Sequence, residues 1–526
     1  MKIKALLFQI VAALLWFALA ASVRKAEGAS AWTNFYSGPA HYDDHAYAIA
    51  LDANDNAYVT GLSYGIGTGY DYATIKYSSN GIAVWTNRFN GGGNNSDSAQ
   101  AIGTDSSGNV FVTGQSYNSQ GNIGFATIKY SSTGTGMWTN LYNGDGGSGD
   151  FGEMLAIDNG GNIYATGSSG HLNSLGSITI KYSNAGLPLW TNRFVGSGSA
   201  ACSATDAGGN FFLAGQSGSF SGVNSSPGYA TVKFSPGGIG LWTNFFRGTG
   251  NSGDFIKSIA IDSSSNVIVT GSSWSRNDYY DFDYVTIKYS GAGVALWTNQ
   301  YNGPTDGDDK ASSVAVDTNG NVYVTGVSSD RYSQSLKCVT IKYSDSGIGL
   351  WTNYYGPATM LANSLGVDGS GNVYVPASPF GGPNGGYNFA IIKYSNSGMA
   401  LWTNIFNGPG NSDDLLAKLV LDISGDVFVT GSTLNNSNGY NYATIKLLGN
   451  PPLPITLTGQ ILSGNKIRLS AVGQAGTNYV LERNYNLKST NWIPQSTNPA
   501  APGGVLIFTN TPTSNTNNFW RIRSLL

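Results

Sequence analysis

Residues 85–131 read WTNRFNGGGNNSDSAQAIGTDSSGNVFVTGQSYNSQGNIGFATIKYS, and this pattern recurs along most of the chain. Trp-Thr-Asn begins at Trp32, Trp85, Trp138, Trp190, Trp242, Trp297, Trp351 and Trp402, spaced 51–55 residues apart. Ile-Lys-Tyr or a close variant places Lys76, Lys129, Lys181, Lys233, Lys288, Lys342, Lys393 and Lys446. Between them an Asp closes an apolar segment and an Asn or Asp follows four residues later: Asp52/Asn56, Asp105/Asn109, Asp158/Asn162, Asp206/Asn210, Asp262/Asn266, Asp317/Asn321, Asp368/Asn372 and Asp422/Asp426. A fixed period of this length signals a repeat architecture. In the quoted unit, β-branched and aromatic residues fill four runs, 85–90, 99–105, 109–114 and 125–131, with Gly, Asn, Ser and Asp in the gaps. No stretch after residue 30 keeps a helical period.

Four short strands per unit suit the blade of a β-propeller. Coils of a β-helix are shorter, and separate sandwiches need longer units with linkers. Segments such as Asp71-Tyr72-Ala73-Thr74-Ile75-Lys76-Tyr77 and 105–114 resemble the bacterial β-propeller repeat family called SBBP, and the resemblance covers residues 32–447. It implies that the Asp-ending strand is innermost and the Trp-Thr-Asn strand outermost. The array opens on a Trp-Thr-Asn strand and ends after 445–447, so the eighth unit lacks an outer strand that the segment at Trp32 can supply. Such closure leaves no open edge. The expected fold is therefore all-β: an eight-bladed propeller of four-stranded blades at 32–448, closed by the N-terminal strand, and then a small β-sandwich.

The ends of the chain differ from the repeats. Lys2 and Lys4 precede an apolar run from Ala5 to Ser22, the form of a signal peptide spanning 1–29, with cleavage after 20 or near 29. Uncleaved, the same segment would be a membrane anchor. A Pro-rich linker occupies 449–454. Beyond it, five runs (455–458, 466–471, 478–483, 505–509 and 519–523) fit the sandwich at 455–526. The stretches 479–483, Asn486-Leu487, Trp492 and 519–523 resemble a fibronectin type III-like C-terminal module of secreted bacterial proteins. That resemblance implies an accessory or surface-attachment role. Export permits disulfides, but Cys202 and Cys338, a whole unit apart, are expected to stay unbonded.

With a net charge of −3 and no basic stripe, nothing points to nucleic acid. Gly61-Leu62-Ser63-Tyr64-Gly65 matches a nucleophile elbow, yet it occupies a repeat position with no strand-to-helix turn. Residues 144–149 match a dinucleotide fingerprint without a βαβ context. The eight Lys and the eight Asp/Asn turns read as structural, each ammonium near a carboxylate and each Asp serving turn amides. His41, Asp43, Asp44 and His45 share a loop and are the metal candidates. Asp44, Asp97, Asp150, Asp254, Asp309 and Asp414, eight residues before the turn Asp, either ring a channel mouth or cap a repeated turn.

A specific site should break a uniform repeat. Residues 271–284 do so with Trp274, Arg276, Asp278, Tyr279, Tyr280, Asp281 and Asp283, and Asp254, Asp306, Asp308 and Asp309 enter on the same face of units five and six. Aromatics beside carboxylates suit a sugar, and the oxygen donors suit Ca²⁺; no other cofactor is indicated. The expected protein is secreted, extracellular or on the cell surface, with the periplasm as a further location. It is more readily a non-catalytic binder of a glycan or protein partner than an enzyme. Two alternatives stay open: a glycosidase or polysaccharide lyase using Asp pairs at the channel mouth, and a purely structural surface or adhesion protein.

Overall fold

The computed structural model describes residues 30–144, 149–171, 174–194, 200–217, 227–250, 253–275, 282–332, 335–356, 364–381, 385–435, 439–449, 458–462, 466–472, 478–484, 492–499, 501, 505–511 and 519–525. The N-terminal segment 1–29 and residues 450–454 of the linker at 449–454 lie outside them. The chain divides into two compact units at Gly449/Asn450.

Residues 28–449 hold eight four-stranded antiparallel sheets. In unit one the order is Asp44–Leu51, Ala57–Gly65, Gly69–Tyr77, Ala83–Phe89, with the Asp-ending strand at one edge and the Trp-Thr-Asn strand at the other. The two middle strands are almost wholly buried and rich in Val, Ile and Tyr. The eighth sheet is completed by Ser30–Tyr36, which pairs antiparallel with Gly439–Leu447 from Ser30↔Leu447 to Tyr36↔Tyr442. The edge strands Asp44–Leu51, Ser98–Thr104, Asp150–Ile157, Ala200–Thr205, Phe255–Ile261, Asp306–Val316, Gly366–Val367 and Asp414–Leu421 each lie beside the next, and the last lies beside the first. This arrangement fits a β-propeller.

The repeated residues are what join sheet to sheet. Each Trp-Thr-Asn indole donates to a turn carbonyl of the following unit: Trp32 to Ser79, Trp85 to Ser132, Trp138 to Asn184, Trp190 to Pro236, Trp242 to Gly291, Trp297 to Asp345, Trp351 to Asn396 and Trp402 to Gly449, at 2.9–3.3 Å. In the first seven motifs the Asn two residues on donates to the Gly of the same turn, as Asn87 does to Gly134 at 2.7 Å. That Gly holds φ of +82 to +89°, and a Cβ on it would strike the indole, which is why the position is Gly.

Seven of the eight repeated Lys lie over an aromatic ring of the neighbouring strand, as Lys76 over Tyr58 at 5.0 Å and Lys181 over Tyr164 at 4.6 Å, and Lys288 faces Ile268. In six units the ammonium meets the turn Asp of its own unit (Lys288–Asp262 2.8 Å, Lys181–Asp158 3.2 Å), and most also reach a carbonyl of the next (Lys76 to Ser132, 2.9 Å); Lys129 and Lys342 bind Asn184 and Asn396 of the next unit instead. Each turn Asp accepts the amide four residues on, at 2.8–3.1 Å. Burial alone would raise the Asp52 carboxyl; Asn56, Tyr58 and the turn amides outweigh it and hold it below its ordinary value. The expected carboxylate beside each ammonium is thus found in six of the eight units, and an Asn of the next unit takes that place at Lys129 and Lys342.

Cys202 and Cys338 are free, as expected. Burial pushes the Cys338 thiol up to about 11.

The C-terminal unit has two three-stranded sheets, Thr458–Leu462/Lys466–Val472/Val505–Asn510 and Ile493–Pro499/Asn478–Asn484/Phe519–Leu525. Leu469, Ala471, Leu506 and Phe508 of the first share a core with Tyr479 and Leu481 of the second. The sequence pointed to five strands; the first lies at Thr458–Leu462 rather than 455–458, of which 455–457 are outside the described residues, and Ile493–Pro499 is a sixth. It pairs on one side only, where its prolines need no ladder donor.

Candidate functional site

Loops that enter the inner strands and hairpins between the second and third strands emerge at the same end of each antiparallel sheet. The six Asp residues that precede the inner strands sit at this end, and they do not open into a channel mouth. Asp44, Asp97, Asp150, Asp254, Asp309 and Asp414 are 0–4% exposed. Each accepts the amide of the Gly six residues earlier, at 2.5–2.8 Å. Ser273 donates to Asp254 at 2.7 Å and Thr433 to Asp414 at 2.5 Å. The carboxylate fastens the inter-sheet loop to the second strand, so the turn-cap reading replaces the catalytic ring.

Burial raises several of these acids, Asp309 up to about 6, with the charges of Asp283 and Asp308 adding to the effect. Ser63, the elbow candidate, is buried within Ala57–Gly65 and accepts from Arg88 at 2.5 Å.

The metal candidates diverge. His41 turns to Ser37, Asp43 accepts the Tyr440 amide at 2.9 Å, Asp44 is in the Gly38 clasp, and His45 meets Ser432 at 3.0 Å. Among the described residues no three His, Cys, Asp or Glu side chains are grouped to hold a metal.

At units five and six, Arg276, Asp278, Tyr279, Tyr280 and Asp281 lie outside the described residues. The remaining carboxylates all have protein partners. Asp254 and Asp309 are clasps, and Asp283 accepts from Gln300 at 2.5 Å. Asp306 holds φ +57° and accepts from Asn302 at 2.6 Å. Asp308 pairs with Lys310 at 2.8 Å and takes the Phe282 amide at 3.4 Å.

Of the expected aromatics only Trp274 is described, and it packs with two rings that were not expected. Trp274 faces Phe282 across the hairpin, centroids 4.6 Å apart and planes 83° apart, and Phe255 stands 5.8 Å from Phe282. Lys310 lies over the Phe282 ring at 4.9 Å. Trp274 and Phe282 are half-buried and Phe255 is 38% exposed, so the group is a surface platform rather than core. The sequence argument missed Phe255, Phe282 and Lys310. The cross-strand register of Phe282 against Trp274 was the signal that would have found Phe282.

Residues 296–332 match the family model of the SBBP beta-propeller repeat. No curated protein matches the chain. Similar solved structures include the β-propeller domain of the Trilobed protease from Pyrococcus furiosus (9% identity, 67% of this chain and 95% of that one, TM-score 0.40). Polysaccharide lyase Uly1 (11% identity, 80% and 98%, TM-score 0.43) and the acylaminoacyl peptidase of Pyrococcus horikoshii (8% identity, 72% and 58%, TM-score 0.39) are two others.

Proposed function

We propose that the protein is an exported, non-catalytic, eight-bladed binding propeller with a C-terminal β-sandwich, and that it takes a glycan on the face of units five and six. The blade count rests on eight sheets with eight indole contacts that run from each sheet to the next and return to the first. Export rests on the basic start and apolar run of 1–29. The observation that carries the binding reading is the half-exposed group Trp274–Phe282–Phe255, flanked by Asp308 and Lys310. Aromatic faces take the C–H face of a sugar ring while charged and polar neighbours orient its hydroxyls. The hydrolase or lyase alternative loses its Asp pairs, because those carboxylates are buried acceptors.

The structural-surface alternative keeps one supporting observation. Ile82, Leu187, Ile239, Val294, Ile348 and Met399, three residues before six of the Trp-Thr-Asn motifs, are 63–69% exposed and give the outer edge a repeated apolar rim.

The test is retention on a panel of immobilised polysaccharides, wild type against Trp274→Ala. Loss of one aromatic platform should weaken binding about tenfold, about 1.4 kcal/mol. Unchanged retention with an unchanged melting temperature would remove this site.

A further inference from the structure

A second aromatic platform lies on the same face at the junction of units eight and one. Tyr64 and Tyr70 are cross-strand partners with centroids 5.1 Å apart and planes at 88°. Tyr42, 65% exposed, stands 5.4 Å from Tyr64. On the side of unit eight, Tyr440 packs against His45 at 4.8 Å. Asp43 joins the two groups: one carboxylate oxygen accepts the Tyr440 amide, and its charge, after burial, raises the Tyr70 phenol. Tyr64, Tyr70, Tyr440 and His45 are all half-buried.

These rings do not belong to the inter-sheet core. The core is supplied two residues further along the same strands, by Tyr72 and Tyr442, at 1% and 0% exposure. The surface rings also break the repeat. The position held by Tyr64 and Tyr70 is Tyr117 and Ile123 in unit two, Ser329 and Leu336 in unit six, and Leu434 and Tyr440 in unit eight. An aromatic pair recurs at Trp274 and Phe282 of unit five. Among the described residues, the hydroxyls of Tyr42, Tyr64, Tyr70 and Tyr440 make no hydrogen bond to the protein.

We infer that Tyr42, Tyr64, Tyr70 and Tyr440, with Asp43 and His45, form a second carbohydrate-binding site, and that it takes a neutral glycan. The contiguous rings offer stacking surface and the phenols offer hydroxyl partners. The acids decide the charge of the ligand. Asp43 and Asp44 act on Tyr70, and Asp413 and Asp43 act on Tyr440, so an anionic saccharide meets like charge. The neighbouring cation, Arg88, is already bound to Asp71 at 2.7 Å.

The site is assembled from both ends of the array. His45 meets Ser432 and Asp43 meets Tyr440 across 387 and 397 residues of chain. It therefore exists only when the first and eighth units are joined, and it stands whether or not units five and six bind sugar.

Affinity electrophoresis of the whole protein in gels containing a soluble β-glucan, galactomannan or alginate tests this. At least one neutral polymer should retard the wild type and alginate should not. Tyr64→Ala and the exposed Tyr42→Ala should each weaken retardation at least fivefold at an unchanged melting temperature. Tyr117→Ala, at the equivalent place in unit two, should match wild type. Retardation by neither neutral polymer, retardation by alginate alone, or full retardation of both Tyr variants would overturn the inference. If Trp274→Ala alone loses binding, this site falls and the one at units five and six stands. If the Tyr variants alone lose it, the reverse holds.

Discussion

Asp309 shows how the repeat sets the chemistry of a single group. Its side chain is fully buried, accepts the Gly303 amide at 2.5 Å, and has Asp283 and Asp308 for neighbours. Burial first, and those charges after it, lift it from 3.8 to about 6. A carboxyl whose folded value lies above its unfolded one contributes stability that is fully present below 3.8 and is lost as pH rises through about 6. The separation corresponds to an upper bound of about 3 kcal/mol, which solvent screening reduces. Urea midpoints of wild type and Asp309→Asn at pH 4.5 and 7.5 measure it. Wild type should lose ground to the variant by at least about 1 kcal/mol between the two pH values; a difference independent of pH would contradict the assignment.

At the scale of the element, the joint between sheets is an indole lying on a glycine turn. Gly293 holds φ +86°, and a Cβ there would come within 2.9 Å of the Trp242 ring. The left-handed backbone costs an L-residue about 1–2 kcal/mol, and displacing the ring adds to that. Gly240, on the adjacent outer strand, has open space around its Cβ position and no positive φ. Gly293→Ala should therefore destabilise by at least about 2 kcal/mol, while Gly240→Ala is neutral or slightly stabilising. Equal effects in thermal or urea unfolding would mean that the joint is not where the sheets are held. These elements were legible in the sequence because every unit repeats them: Trp, Asn, Lys, Asp and Gly recur at fixed spacing and each has one job. Ile493–Pro499 was not legible, since a Pro-bearing edge strand carries neither alternation nor a repeat to align it with.

Over the whole molecule, repetition made the architecture readable and hid the sites. The six mouth carboxylates looked like a functional ring because they recur, yet recurrence was the mark of the clasp. The platform at units five and six was found from its departure from the pattern, although its described acids all have protein partners and its third ring, Phe255, came from another strand. The Tyr platform escaped because half of it lies nearly 400 residues along the chain from the other half, and only closure brings them together. The Tyr platform depends on the first and eighth sheets lying side by side, and Ser30–Tyr36 is the strand that completes the eighth. Amide hydrogen exchange of that strand measures it directly. Peptides covering Ser30–Tyr36 should be protected to within about tenfold of those covering the internal outer strand Ala83–Phe89; exchange within seconds, as in an unpaired tail, would contradict a ring closed by the N-terminus.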